Sequence, residues 1–350
     1  MVAALLAEVV RPRGGEAQLL DWDEIARLAR RRVGGEPVGE ARLRAVAAGY
    51  NRLAEEVREP LLRAVGGLPA GVRLPDFEAL DRPRWLDLNV AILRRAMEPL
   101  NEVGRVPNSW LADLGRAGID RYVALLLEFL SRRVLGQFDP QLLGKEPVQQ
   151  ALYLVEPNVA DWQRRASLPG DDLRRWLILH EMTHAWQFAA HPWLRDHLNR
   201  GLQQLISAAS GPRGGGLERL VAFTIGGPAQ WSTLRRMQAT MTLVEGYGNL
   251  IMNLVGRRIL PSHEQLEEAY RRRSGERSVL DLLVFRLTGL ELKLKQYEVG
   301  EAFARTIHDR YGMEALNRAW EGPETLPRPE ELRDPERWFR RVSRGRGGMA

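Results

Sequence analysis

Residues 171–190 read Asp171-Asp-Leu-Arg-Arg-Trp-Leu-Ile-Leu-His180-Glu-Met-Thr-His-Ala-Trp-Gln-Phe-Ala-Ala190. The run contains neither Pro nor Gly and opens on two acids suited to a helix N-terminus, which predicts a helix from Asp171 to about Ala190. His180 and His184 stand four residues apart. They therefore lie on one face, one turn apart, and both imidazoles can reach a single ion. Glu181 adjoins the first His, within reach of a water beside that ion. The flanking Trp176–Leu179 and Ala185-Trp186 are uncharged, so the helix is walled from solvent rather than lying on a solvated face. The competing reading is a pair of ordinary core or surface histidines.

A catalytic zinc needs a third protein ligand and an open position. One arrangement of zinc peptidases places a third His ten residues after the first, with a Gly at the seventh. Here those positions are Ala190 and Gln187, so that arrangement is absent. His191 misses it by one, and Pro192 disfavours helix at His191. His191 therefore reads as a helix-terminal residue facing the dipole. His197 reads as a surface or supporting residue, and His263 and His308 fall on polar helix faces.

The better third ligand is a carboxylate on another helix. Glu245 is the one acid between Arg236 and Arg257. A lone buried Glu is costly unless it is paired or holds a metal. An acid satisfied by a nearby Arg is the alternative. Gly246 and Gly248 weaken a helix by roughly 1 kcal/mol each relative to Ala, which points to close approach of another helix. Asn249, one turn on, could accept an imidazole N–H.

Helical periodicity dominates the rest of the chain. Helices are expected at Glu40–Val65, with Pro60 kinking or interrupting it, and at Pro83–Leu100, Asp120–Leu135, Leu194–Ser210, Gln230–Arg258, His263–Arg273, Val279–Leu294 and Glu291–Tyr311. Gln150–Val155 is the best short strand, bounded by Pro147 and Pro157. Pro212–Gly216 reads as a flexible break, Pro323–Pro335 as extended, and Ser343–Ala350 as a disordered tail. The organisation expected is an N-terminal helical region at 1–75, a catalytic domain at 76–342 and the tail at 343–350.

The chain has 350 residues, no Cys and six His. The missing thiols exclude a disulfide scaffold, a Cys-type zinc finger, an iron–sulfur protein and a cysteine nucleophile. The net charge of +6 comes from Arg, since Lys occurs only at positions 145, 293 and 295. These arginines are interleaved with acids, which argues against a nucleic-acid surface. Glu8 interrupts the short apolar N-terminus, which lacks a basic n-region. No window reaches the roughly 18 uncharged apolar residues of a spanning helix. A soluble cytoplasmic protein is the expectation.

Taken together, His180–Phe188, Pro192–His197, Val244–Asn249, Lys293–Tyr297 through Gly300 and Phe303, Leu316–Trp320 and Asp334–Trp338 resemble the zincin-like metallopeptidases often labelled coenzyme F420 biosynthesis-associated hydrolases. The resemblance runs from about Pro83 to Val342. It implies a predominantly helical α+β, zincin-like fold with a small sheet beside the metal helix. It implies Zn2+ held by His180, His184 and Glu245, with Glu181 as general base. There is one departure, Tyr247, where the family commonly carries His. On a continuous helix Tyr247 points about 160° from Glu245, which removes it from the oxyanion role. Tyr297 is the candidate for that role, against its reading as a packed tyrosine.

The function expected is a zinc metallopeptidase acting on a peptide or protein substrate, with no membrane partner. Strand Leu152–Val155 could line the cleft and pair with an extended peptide. The alternatives are a non-catalytic zinc-stabilised interaction protein, marked by a capped fourth position, and an anion-binding or nucleic-acid-binding helical protein.

Overall fold

A computed structural model describes residues 16–17, 20–33, 37–103, 106–107, 110–142, 151–209, 228–275 and 290–344. Its elements in chain order are β1 (Glu16–Ala17), α1 (Trp22–Val33), α2 (Glu40–Val65), β2 (Phe77–Leu80), α3 (Arg82–Val103), β3 (Val106–Pro107), α4 (Trp110–Ser131), β4 (Gly136–Phe138), β5 (Leu152–Val155), α5 (Glu156–Arg165), α6 (Gly170–Ala190), α7 (Pro192–Ala209), α8 (Pro228–Ile259), α9 (His263–Gly275), α10 (Leu290–Asn317) and α11 (Pro335–Arg344). The expected helix-rich α+β fold is the fold found. Among the described residues, no helix is long and apolar enough to cross a membrane.

The sheet beside α6 has the order β2–β5–β4. Strand β5 is central. It runs parallel to β2, with Phe77 opposite Leu152, and antiparallel to β4, with Phe138 opposite Leu152. Both hydrogen-bonding sides of β5 are thus occupied, which corrects the expectation that Leu152–Val155 pairs with a peptide. Strand β4 lies at an edge of the sheet, and its residues are half-buried. Leu152, Leu154 and Phe77 are buried, whereas Glu78 and Tyr153 alternate with them toward the other face.

The main core gathers α2, α6, α8 and α10. Tyr50, Ala54, Val57 and Leu61 of α2 are buried at three- and four-residue steps, as an amphipathic helix requires. Helix α2 continues through Pro60, contrary to an interruption there; buried Val57 and Leu61 anchor it on either side. Helix α1 packs instead with α3 and α4, through Trp22, Ile25, Leu86 and Leu127. Helix α10 changes direction at Gly312, whose φ of +82° suits a residue without Cβ.

The stretch expected to be extended, Pro323–Pro335, folds into turns with a 3-10 helix at Glu331–Arg333. Leu326 and Leu332 are buried there, and Trp338 Nε1 donates to the Thr325 carbonyl at 2.7 Å. The expected break at Pro212–Gly216, positions 279–289 of the helix expected at Val279–Leu294, and the tail past position 344 lie outside the described residues.

Candidate metal centre

Helix α6 is buried on nearly all sides, from Leu173 through Phe188. A helix of that kind must satisfy its own polar groups. Thr183 does so by donating to the Leu179 carbonyl at 2.7 Å, and Trp186 by donating to the Gly67 carbonyl at 2.6 Å. The two histidines behave as their spacing predicts. Their ring centroids are 4.5 Å apart, and His180 Nε2 lies 3.0 Å from His184 Nε2.

Helix α8 brings the third group. Glu245 Oε2 is 3.4 Å from His184 Nε2 and 3.7 Å from His180 Nε2. One donor atom from each of the three lies within 4.8 Å of the other two. The two glycines beside Glu245 serve two different contacts. A Cβ on Gly248 would stand 3.0 Å from His184 Cε1 and 3.4 Å from His180 Cε1, so this glycine admits the metal helix. Gly246 faces away from it. Its backbone meets that of Gly300 on α10, and any Cβ there would collide with the Gly300 carbonyl group.

Charge binds the triad together. Burial works against ionisation of both His184 and Glu245, but their mutual attraction outweighs it. His184 is raised to about 9, and Glu245 is held below the ordinary carboxylate range by His184 and His180. The donor set suits a divalent ion that takes nitrogen and oxygen ligands in a tetrahedral array, as zinc does. Two imidazole nitrogens facing each other at 3.0 Å beside a carboxylate are a cradle for a cation.

The tautomer of His184 follows from its neighbour. Gln187 Nε2 donates to the Val244 carbonyl at 3.0 Å, so the amide oxygen faces His184 Nδ1, 2.9 Å away. Nδ1 must therefore donate, which leaves Nε2 as the nitrogen that would bind an ion once its own proton is displaced. The expected partner, Asn249, does not fill this role. His184 Nδ1 is held by Gln187, and His180 Nδ1 is buried without a hydrogen-bond partner.

Glu181 is buried on the adjoining side of α6, against β4. A Cβ on Gly136 would come within 2.5 Å of its Oε1. Burial raises its carboxyl, more than the histidines and the Phe138 backbone N–H lower it.

Elsewhere the histidines serve packing. His191 ends α6 in a non-helical conformation, as Pro192 demands, and stacks on Trp320 at 5.9 Å. Its burial lowers it to about 4. His197 lies edge-on to Trp193 at 6.3 Å. His263 is buried rather than on a polar face, with Nε2 3.3 Å from Asn253 Oδ1. His308 pairs with Asp309 at 2.9 Å.

Tyr247 points away from the site as expected. It stacks on Trp186 at 5.7 Å and donates to Asn317 Oδ1 at 2.8 Å. The side chain of Tyr297 lies outside the described residues. Gln187 and Gly136 escaped the sequence reading, as did Tyr270. That phenol packs edge-on against Trp176, one turn before His180, at 5.4 Å. Burial, Glu245 and Glu301 keep it protonated.

Comparison with known proteins places this geometry. A search of curated proteins finds no match. A solved structure from Chloroflexus aurantiacus, described as a "putative hydrolase with a novel fold", superposes with a TM-score of 0.70 at 34% identity, covering 93% of this chain and 99% of that one. The sequence model described as zincin-like metallopeptidase matches residues 20–339. With nearly its whole length matched, the chain belongs to the zincin-like metallopeptidase family.

Proposed function

We propose that this chain is a zinc-dependent peptidase, with His180, His184 and Glu245 holding the ion and Glu181 acting as general base. The observation that carries the reading is an incomplete, open ligand set. Three donors converge, and no fourth His, Cys, Asp or Glu joins them among the described residues. His180 and Glu245 keep 20% and 24% of their side chains exposed, so the site opens to solvent. A structural zinc closes its fourth position with protein; a catalytic one leaves it for water or substrate.

When bound, zinc supplies a Lewis acid and makes a neighbouring water more acidic. The protein's own groups do the rest. Gln187 fixes the His184 tautomer, and Glu245 neutralises part of the positive charge. Glu181 takes a proton from the attacking water and returns it to the leaving nitrogen. Its burial suits the first of these steps, because a carboxyl raised by desolvation accepts a proton more readily. The outer edge of β4, beside Glu181, is where an extended substrate would align.

Glu181→Gln tests this. The variant is expected to keep one zinc per chain by metal analysis, while cleavage of a denatured-casein substrate falls by about 10²–10⁴-fold. A wild-type protein without stoichiometric zinc, or a Gln variant that cuts equally well, would sink the mechanism.

A further inference from the structure

We infer that Gln187 is a positioning residue that sets zinc affinity by locking His184 and Glu245 into one unit. The inference rests on the zinc reading above and adds a role for a side chain outside the ligand set. Gln187 is fully buried. Its amide has two partners, one on a ligand and one on the residue beside another. The oxygen accepts from Nδ1 of His184, on the same helix. The nitrogen donates to the carbonyl of Val244, the residue next to Glu245 on α8.

The two bonds work together because an amide has a fixed polarity. The bond to Val244 orients the group. The oriented oxygen then dictates that His184 carries its proton on Nδ1, leaving Nε2 free for the ion. In the same contact α8 is pinned to α6 beside the carboxylate. Leu at 187 would fill the volume but would leave His184 Nδ1 buried and unpaired and would remove the tie to the Val244 carbonyl. Glu at 187 retains an acceptor for Nδ1–H.

The test is zinc affinity of the full-length protein by chelator competition, read beside the visible spectrum of the cobalt-loaded form. Q187L is expected to bind zinc about 10–100-fold more weakly and to shift the cobalt bands. Q187E is expected to stay within about threefold of wild type. A general packing role would make both variants equally weak or leave both unchanged, and either result overturns the inference. If Q187L does not fold, Q187M, which also lacks the amide, takes its place against the same criterion. A wild-type chain that takes up no zinc sinks the peptidase reading and this inference together. A wild-type chain that binds zinc, with Q187L binding it as tightly, sinks the inference alone.

Discussion

Gly136 shows how much of the site depends on one missing methyl group. The Glu181 carboxylate occupies the space where a Cβ would stand, so Gly136→Ala has to push Glu181 aside, the general base on the reading proposed above. The variant is expected to retain its zinc and lose about 10²-fold in turnover, the usual cost of moving a reacting group by about 1 Å. Steady-state kinetics with metal analysis checks it, and an unchanged rate would show that Glu181 does not act from this position. The triad gives a second expectation. His184, raised to about 9, holds a proton below that pH, and zinc has to displace it. Apparent zinc affinity should therefore climb as pH rises toward about 9 and then level off. Competition titrations across that range give the slope, and a flat profile would remove His184 from the ligand set. At this scale the two histidines and their acid were legible, because a four-residue step on a helix puts side chains together whatever surrounds them. Gln187 was not. Asn249 stood at a plausible step along α8, but the amide that reaches His184 comes from its own helix, three residues on. Nothing about a Gln in a sequence announces which way its amide points.

Helices α8 and α10 cross with their backbones in contact at Gly246 and Gly300. A Cβ on Gly300 would strike the Thr242 carbonyl, so Gly300→Ala forces the helices apart. The expected cost is about 1–3 kcal/mol of stability, seen as a lower urea midpoint. A weaker zinc site should accompany it, because Glu245 rides on the displaced helix. Stability lost without any change in zinc affinity would mean that α8 yields elsewhere. Most helices were legible from their periodicity, and α2 has the bounds its apolar steps predict. The sheet was half legible. Strand β5 stood out between prolines, but β2 and β4 span only four and three residues, too short for alternation to declare itself. The turns at Pro323–Pro335 were missed for another reason. Their order comes from distant partners, such as Arg341, whose guanidinium pairs with buried Glu331 at 2.7 Å.

Across the whole molecule, the C-terminal end of α2 is a junction. The Val65 carbonyl accepts from Asn317 Nδ2 at 3.0 Å, and Asn317 in turn accepts from Tyr247 on the ligand helix. Two residues on, the Gly67 carbonyl accepts from Trp186 on the metal helix. Asn317→Ala would leave the Tyr247 hydroxyl and the Val65 carbonyl without these partners. It should cost about 2 kcal/mol by urea unfolding. A loss confined to a few tenths would show that water replaces the amide. The Tyr247 hydroxyl thus braces this junction of α2, α8 and α10. Bonds spanning most of the chain leave no periodic trace in a sequence, so this level of organisation emerges only in three dimensions.

The separation of the three donors also bears on how the protein is made. A ribosome releases His180 and His184 together, but Glu245 follows a long interval later, and Gly300 and Asn317 later still. Contacts so far apart along the chain close last. A nascent or prematurely terminated chain ending before Glu245 carries two imidazoles and no carboxylate to complete the set. On the reading proposed above, hydrolytic power arrives only after Glu245 has been made and packed against α6.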